Sequence, residues 1–331
     1  MTGPARAPQP ATDALSWWQR GVVYQIYPRS FADATGDGVG DLCGITERLG
    51  YLAWLGVDAV WISPIYPSPM ADFGYDITDH TAIDPVFGTL EDFDALIAEA
   101  HRVGLRVLLD YVPNHTSIEH PWFAEARASR HSTRRDWYLW RDPAPDGGPP
   151  NNWRSVFGGS AWTLDQMSGQ CYYHAYLPEQ PDLNWRHPPV REAMFDVLRC
   201  WLDRGVAGFR VDALRHLVKD PRWRDNPPNP EFRRGEPPYG ALLPVHAADR
   251  DDVHEPIAAM RAVLREHGDP AEERLLIGEL YVPIERLVRY YGRDGAGLQL
   301  PSNMHLIATA WEPEAIVALI ERYEATLPAG A

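Results

Sequence analysis

The stretch "EDFDALIAEAHRVGLRVLLDYVP", Glu91 to Pro113, holds two patterns back to back. As far as Gly104 it is an amphipathic helical segment; from Arg106 it is a short apolar run with no polar face, ending in Asp110. An apolar run of that length, fed by a helix, reads as a strand of a parallel sheet covered on both sides. The alternation continues outward. "VVYQIYP" (22–28), "GITERLGYLAWLG" (44–56) and "DAVWISP" (58–64) precede it. Downstream, Met194, Val197, Leu198, Trp201 and Leu202 fall at i, i+3, i+4, i+7 and i+8, ahead of "GFRVDA" (208–213). A helix near Glu255 to His267 precedes "RLLIGELY" (274–281). "IERLVRYYG", "LQLPSNMHLI" (298–307) and a last helix in "EPEAIVALIERYEA" follow. Six strands are counted, so the expected fold is α/β, a (β/α)8 TIM-barrel type with about six strands present.

Two segments break the rhythm. Residues 114–189 are rich in Trp, Tyr, Pro, Gly and Asn and carry no sustained period, which predicts a small excursion domain after strand three. The proline-rich stretch at about 217–250 reads as an insertion without a regular helix. The remaining divisions are a disordered tail at 1–16, barrel strands one to three within 17–113 and strands four to six within 190–331.

Composition excludes several function classes. A chain of 331 residues with a net charge of -15 repels phosphate backbones and anionic lipid, so nucleic acid and membrane partners are not expected. No apolar stretch of about 18 residues spans a bilayer, and the N-terminus lacks a signal-peptide core. Cys43, Cys171 and Cys200 are far apart and too few for a disulfide framework, which points to a cytoplasmic location. GxSxG and HExxH motifs are absent.

In a parallel barrel the chemistry sits where strands end. Strand three ends in Asp110 and then Asn114-His115, strand four in Arg210 and Asp212, and strand five in Glu279. Along a strand Arg210 and Asp212 share one face. Their pairing suits a structural ion pair and equally a carboxylate that attacks as an anion. Two carboxyls facing one cavity do not both ionise cheaply, so Glu279 is expected raised while Arg210 keeps Asp212 charged. That division of roles is what a retaining glycosidase uses. Tyr75, Tyr111, Trp153, Phe157 and Trp162 are candidate stacking surfaces for a sugar ring.

The ordered segments "DYVPNHT", "QPDLNW", "GFRVDAL" and "IGELY" resemble the conserved regions of the α-amylase superfamily of glycoside hydrolases. "VVYQIYPRSFADATGDGVGDLCGI" and "GYDITDH" are similar to its α-glucosidase branch. The resemblance covers nearly the whole chain. It implies a retaining α-glucosidase acting on a small oligosaccharide, with Asp212 as nucleophile, Glu279 as acid/base and Arg210 orienting Asp212. Tyr75, Asp76, His115 and Phe157 would bind substrate, while Asp110 and Asn114 shape the loop. Ala213, after the nucleophile, points to α-1,4 rather than α-1,6 linkages. In relatives the loop "DATGDGVGD" binds a structural calcium or magnesium ion, and Asp33, Asp37, Val39 (through its carbonyl) and Asp41 match its ligands. Thr35 departs from the pattern.

Counted by strands, the chain stops before the family's last two strands and the third carboxylate they carry. The expectation is a fragment with impaired activity, an exposed apolar wall, and another chain completing the barrel. Two other readings are a carbohydrate- or partner-binding remnant without activity, and a glucosyl-transferring or isomerising member of the superfamily.

Overall fold

A computed structural model describes residues 15–267 and 273–328. In chain order the strands are β1 (Val23–Ile26), β2 (Ala59–Ile62), β3 (Arg106–Tyr111), β4 (Trp140–Arg141), β5 (Trp162–Asp165), β6 (Gln170–Tyr173), β7 (Gly208–Val211), β8 (Leu275–Gly278) and β9 (Leu300–Pro301). Six of them form one parallel sheet in the order β1-β2-β3-β7-β8-β9. These are the six strands read from the sequence, and with their helices they make an incomplete (β/α) barrel. Their continuous apolar runs follow from burial on both faces: every residue of β7 and all but the first of β3 are buried.

Local signals fix the helices that carry the chain back. Asp41 caps Leu42–Leu55 by accepting the Gly44 N–H, and Gly56 ends that helix at φ 90°, a left-handed turn that favours glycine. Thr89 and Asp92 form a reciprocal capping box on Leu90–Arg102. Pro188 opens Pro188–Asp203, where a proline needs no N–H partner. The apolar stripe of that last helix, from Met194 to Leu202, is buried in the main core.

Between β3 and Pro188 the excursion builds its own three-stranded antiparallel sheet in the order β4-β6-β5. It has a separate small core of Leu139, Trp153, Ala161, Trp162, Cys171, Tyr173, Ala175 and Ala247. Lys219, within the second insertion, ties the two regions together. Its buried ammonium pairs with Asp182 and donates to Asn114 Oδ1 at 3.0 Å. The insertion itself has no strand or α-helix, only short 3₁₀ turns such as Pro238–Ala241. Of the tail expected at 1–16, residues 1–14 lie outside the described residues. Ser16 is held by its hydroxyl to Glu273.

Apolar side chains stand exposed beside both ends of the sheet. Val22 precedes β1 and Tyr24 lies in it, with Trp54 on the helix Leu42–Leu55; Ile307 and Trp311 follow β9, the two tryptophans being 79% and 86% exposed. None of the three cysteines is bonded to another. No described helix is long and apolar enough to cross a membrane.

Gly208 is the tightest point between β7 and β8. A Cβ there would lie 2.2 Å from the Leu275 carbonyl oxygen. Gly208→Ala is therefore expected to lower unfolding stability by about 1–3 kcal/mol in urea denaturation. Exposed Gly50 has nothing within 4 Å of its added Cβ, so Gly50→Ala is expected to raise stability by about 0.5–1 kcal/mol. Equal effects at the two glycines would contradict this account of the strand contact.

Candidate active site

Asp110 on β3 and Arg210 on β7 are directly opposite in register, so both side chains leave the sheet on the same side. Asp212 follows two residues later and keeps strand pairing, its N–H donating to the Tyr111 carbonyl at 2.8 Å. The strand then breaks. Ala213 adopts φ 50°, a left-handed conformation costly for a residue with a Cβ, and its N–H is turned towards the Glu279 carboxylate. Glu279 is positioned by its own N–H, which donates to the Val211 carbonyl at 3.1 Å.

One guanidinium joins these strand ends. Arg210 Nη1 donates to Asp110 Oδ1 at 2.7 Å and to Asp212 Oδ1 at 2.6 Å, and Nη2 lies 2.9 Å from Glu279 Oε2. Its plane lies near the rings of Trp61 and Tyr75, 5.2 and 5.7 Å from their centroids. Trp61 Nε1 and the Tyr75 hydroxyl donate in turn to Asp110 Oδ2. Asp110 is thus fully engaged beneath the site, a support for the cation.

Three carboxyls around one cation cannot all stay charged when buried. Burial pushes the carboxyls of Asp110, Asp212 and Glu279 up, and Arg210 opposes the rise at each. For Asp212 this corrects the sequence expectation, because desolvation outweighs the arginine. Glu279 is raised further by the negative charge of Asp212 beside it. The two carboxyls titrate as a pair rather than independently.

Asp212, Glu279 and Arg210 line a cavity of about 470 Å³, walled by Asp72, Tyr75, His115, Phe157, Tyr176 and Arg215 among others. Phe157 and Tyr176 come from the excursion and meet edge to face, their centroids 5.5 Å apart. Phe157 is 56% exposed and offers its ring to the opening.

Side-chain amides face both ring nitrogens of His115. Lys219 occupies Asn114 Oδ1, so Asn114 presents its Nδ2 to His115 Nδ1 at 3.2 Å. Gln180 Nε2 lies 3.0 Å from His115 Nε2. Gln180 is committed as well, its Nε2 donating to Asp72 Oδ2 and its Oε1 accepting the Leu177 N–H. Burial lowers the His115 pKa and favours the neutral ring. The result is a neutral imidazole on the wall of a cavity whose floor is acidic.

Several sequence expectations are redirected. Asp76 does not line the cavity: it is completely buried, and its oxygens are taken by the Ser68 hydroxyl and the N–H groups of Ala71 and Asp72. Asp72 stands at the cavity instead. Tyr111, Trp153 and Trp162 are core residues, not stacking platforms, being at most 6% exposed. Gln180 and Tyr176 were missed. Gln180 lies in the quoted segment "QPDLNW", whereas Tyr176 carried no sequence signal.

At "DATGDGVGD" the carboxylates hold their own loop. Asp33 accepts the N–H groups of Gly36 and Gly38 and the Thr35 hydroxyl, and Asp37 accepts the Val39 N–H. Asp41 takes the Ala34, Thr35 and Gly44 N–H groups. Among the described residues no group of three or more His, Cys, Asp or Glu side chains is gathered as a metal site. These carboxylates organise the backbone of their own loop.

A raised carboxyl makes stability fall with rising pH, because the folded state binds the proton more tightly. Glu279 contributes most below the unfolded glutamate pKa of about 4.3, and that contribution is lost as pH climbs through its raised folded value. Glu279→Gln is therefore expected to melt higher than the parent chain at pH 8, with the gap closing towards pH 4. A gap independent of pH would contradict the burial argument.

Residues 25–324 match the family model "Alpha amylase, catalytic domain". The "Probable alpha-glucosidase" of Rhizobium meliloti (strain 1021) is 53% identical over 256 residues, 76% of this chain and 46% of that protein. The alpha-glucosidase of Culex pipiens is 44% identical over 299 residues, 89% of this chain and 51% of its own. The crystal structure of the alpha-glucosyl transfer enzyme XgtA superposes with a TM-score of 0.90 at 42% identity, covering 96% of this chain and 59% of that one. The chain spans about half the length of the curated relatives it matches. With 25–324 under the family model and relatives of this identity, the chain belongs to the alpha-amylase family.

Proposed function

We propose that this site cleaves terminal α-glucosidic bonds with retention of configuration, Asp212 attacking the anomeric carbon and Glu279 protonating the leaving oxygen. One observation carries the reading. The Asp212 and Glu279 carboxyls are both held by one guanidinium, at 2.6 and 2.9 Å, in a cavity sized for sugar rings. An inverting pair needs about 6.5–9.5 Å between carboxyls to seat a water, and a pair gathered on one arginine is close-set, as a retaining pair is. Arg210 keeps the attacking oxygen aligned. After the first step Glu279 is the base that activates water.

Asp72, His115 and Tyr75 supply hydrogen bonds to the glucose, and Phe157 with Tyr176 supplies an apolar face. The neutral His115 ring sits at the substrate without adding charge near the anion. Asp76 supports the loop that presents Asp72 and Tyr75. Ala213 supports a preference for α-1,4-linked malto-oligosaccharides. The similarity to XgtA supports a second reading, transfer of the glucosyl group to another acceptor. The loop at 33–41 takes no part in the chemistry. Three unbonded cysteines support a cytoplasmic location. The exposed apolar residues beside β1 and β9 support a further polypeptide closing the barrel.

The test is release of 4-nitrophenol from 4-nitrophenyl α-glucoside. Asp212→Asn is expected to lower the rate by at least about 10³-fold. Glu279→Gln should cost about 10²–10⁴-fold on maltose, whose leaving group needs the acid, and should spare the first step on the aryl glucoside. Turnover that survives Asp212→Asn would overturn the nucleophile. A chain that binds maltose but never cleaves either substrate would favour the binding reading.

A further inference from the structure

A second cavity lies against the antiparallel sheet of the excursion. It has a volume of about 400 Å³, and its lining includes Arg130, Arg135, Arg141, Asp136, Trp140 and Trp223. A smaller cavity of about 170 Å³ adjoins it, sharing Arg141 and Trp223. None of these residues lines the carboxylate cavity.

The charges around this cavity do not balance. Three described arginines are buried: Arg135, Arg210 and Arg261. Arg210 holds three carboxylates and Arg261 holds Glu273. Arg135 has no ion pair among the described residues. Its Nη1 donates to the Ala126 carbonyl and its Nη2 to Gln170 Oε1, while its buried Nε has no acceptor. An unpaired buried cation is expensive, and this one stands in a chain of net charge -15.

Its surroundings add donors rather than acceptors. The Arg135 guanidinium stacks 3.4 Å from the centroid of Trp140, whose buried Nε1–H is unpartnered. The Arg141 guanidinium lies 4.5 Å from the centroid of Trp223, whose buried Nε1–H is also unpartnered. Arg141 makes no ion pair among the described residues. Trp223 is moreover held at φ 57°, a strained conformation for a residue with a Cβ. Arg130 is already spent on Asp142 and the Ser168 carbonyl. Asp136 is the one carboxylate on the lining.

We propose that this cavity binds a small oxyanion, a phosphate or carboxylate on a ligand no larger than a monosaccharide, between Arg135, Arg141 and the indole N–H groups of Trp140 and Trp223. An oxyanion supplies the acceptors that three buried N–H groups lack, and guanidinium planes match its geometry. The stacked indoles hold both arginines flat against the wall.

Isothermal titration at low ionic strength tests this with inorganic phosphate, D-glucuronate and neutral glucose as probes. Phosphate, glucuronate or both are expected to bind saturably, and which of them does so identifies the anion. Arg141→Gln changes an exposed residue, so circular dichroism should show it folded. It is expected to weaken that binding at least tenfold, about 1.4 kcal/mol. Trp223→Phe removes one N–H while keeping a ring, and should weaken it several-fold. No saturable anion binding by the parent chain, or binding that Arg141→Gln leaves unchanged, would overturn the proposal.

Discussion

Arg210 is the constraint on which the site depends. Its guanidinium gathers carboxyls from the ends of three neighbouring strands, and each of those strands must end at the same level for the contacts to form. Removing the cation would leave two buried carboxyls and one half-buried carboxyl facing one another, a change of the kind that costs about 3–5 kcal/mol. The left-handed turn at Ala213 belongs to the same arrangement. It ends the strand just after Asp212 and turns a backbone N–H towards Glu279. Strand register, backbone strain and carboxyl protonation are therefore parts of one structure.

The two carboxyls at the cavity differ because their neighbours differ. Asp212 receives the shorter Arg210 bond and is the more deeply enclosed, while Glu279 is half-buried and lies next to the Asp212 charge. Asp110 serves a different end. Fully buried beneath Trp61 and Tyr75, it fixes Arg210 from below and never reaches the cavity. Around this centre the excursion supplies Phe157 and Tyr176, and the Lys219–Asp182 pair anchors the excursion beside Asn114 and His115. The chemistry sits on the barrel; much of the wall that shapes it comes from the insertion.

The strands and the rim were legible in the sequence because both are local signals. An apolar run names a strand, and a polar residue at its end lies where parallel strands place their chemistry. Asp212, Glu279 and Arg210 were found in this way. Asp72 and Asp76 lie four residues apart in one irregular loop, and only the path of that loop decides which reaches the cavity and which accepts its N–H groups. Trp153 and Trp162 look like stacking residues until the antiparallel sheet buries them together. The setting of His115 depends on Lys219, through Asn114, and on Gln180, 104 and 65 positions away in the chain. Nor did spacing reveal Arg135, since an arginine is conspicuous only when its burial and its lack of a carboxylate are known.

The central claim is that Asp212 forms a bond to the sugar. Its most direct test is peptide mass spectrometry after incubation with 5-fluoro-α-glucosyl fluoride, a substrate that forms the glucosyl–enzyme ester quickly and loses it slowly. The account predicts a fluoroglucosyl adduct on the peptide containing Asp212, absent when that residue is Asn. An adduct on another carboxylate, or continued release of fluoride with no adduct, would contradict it.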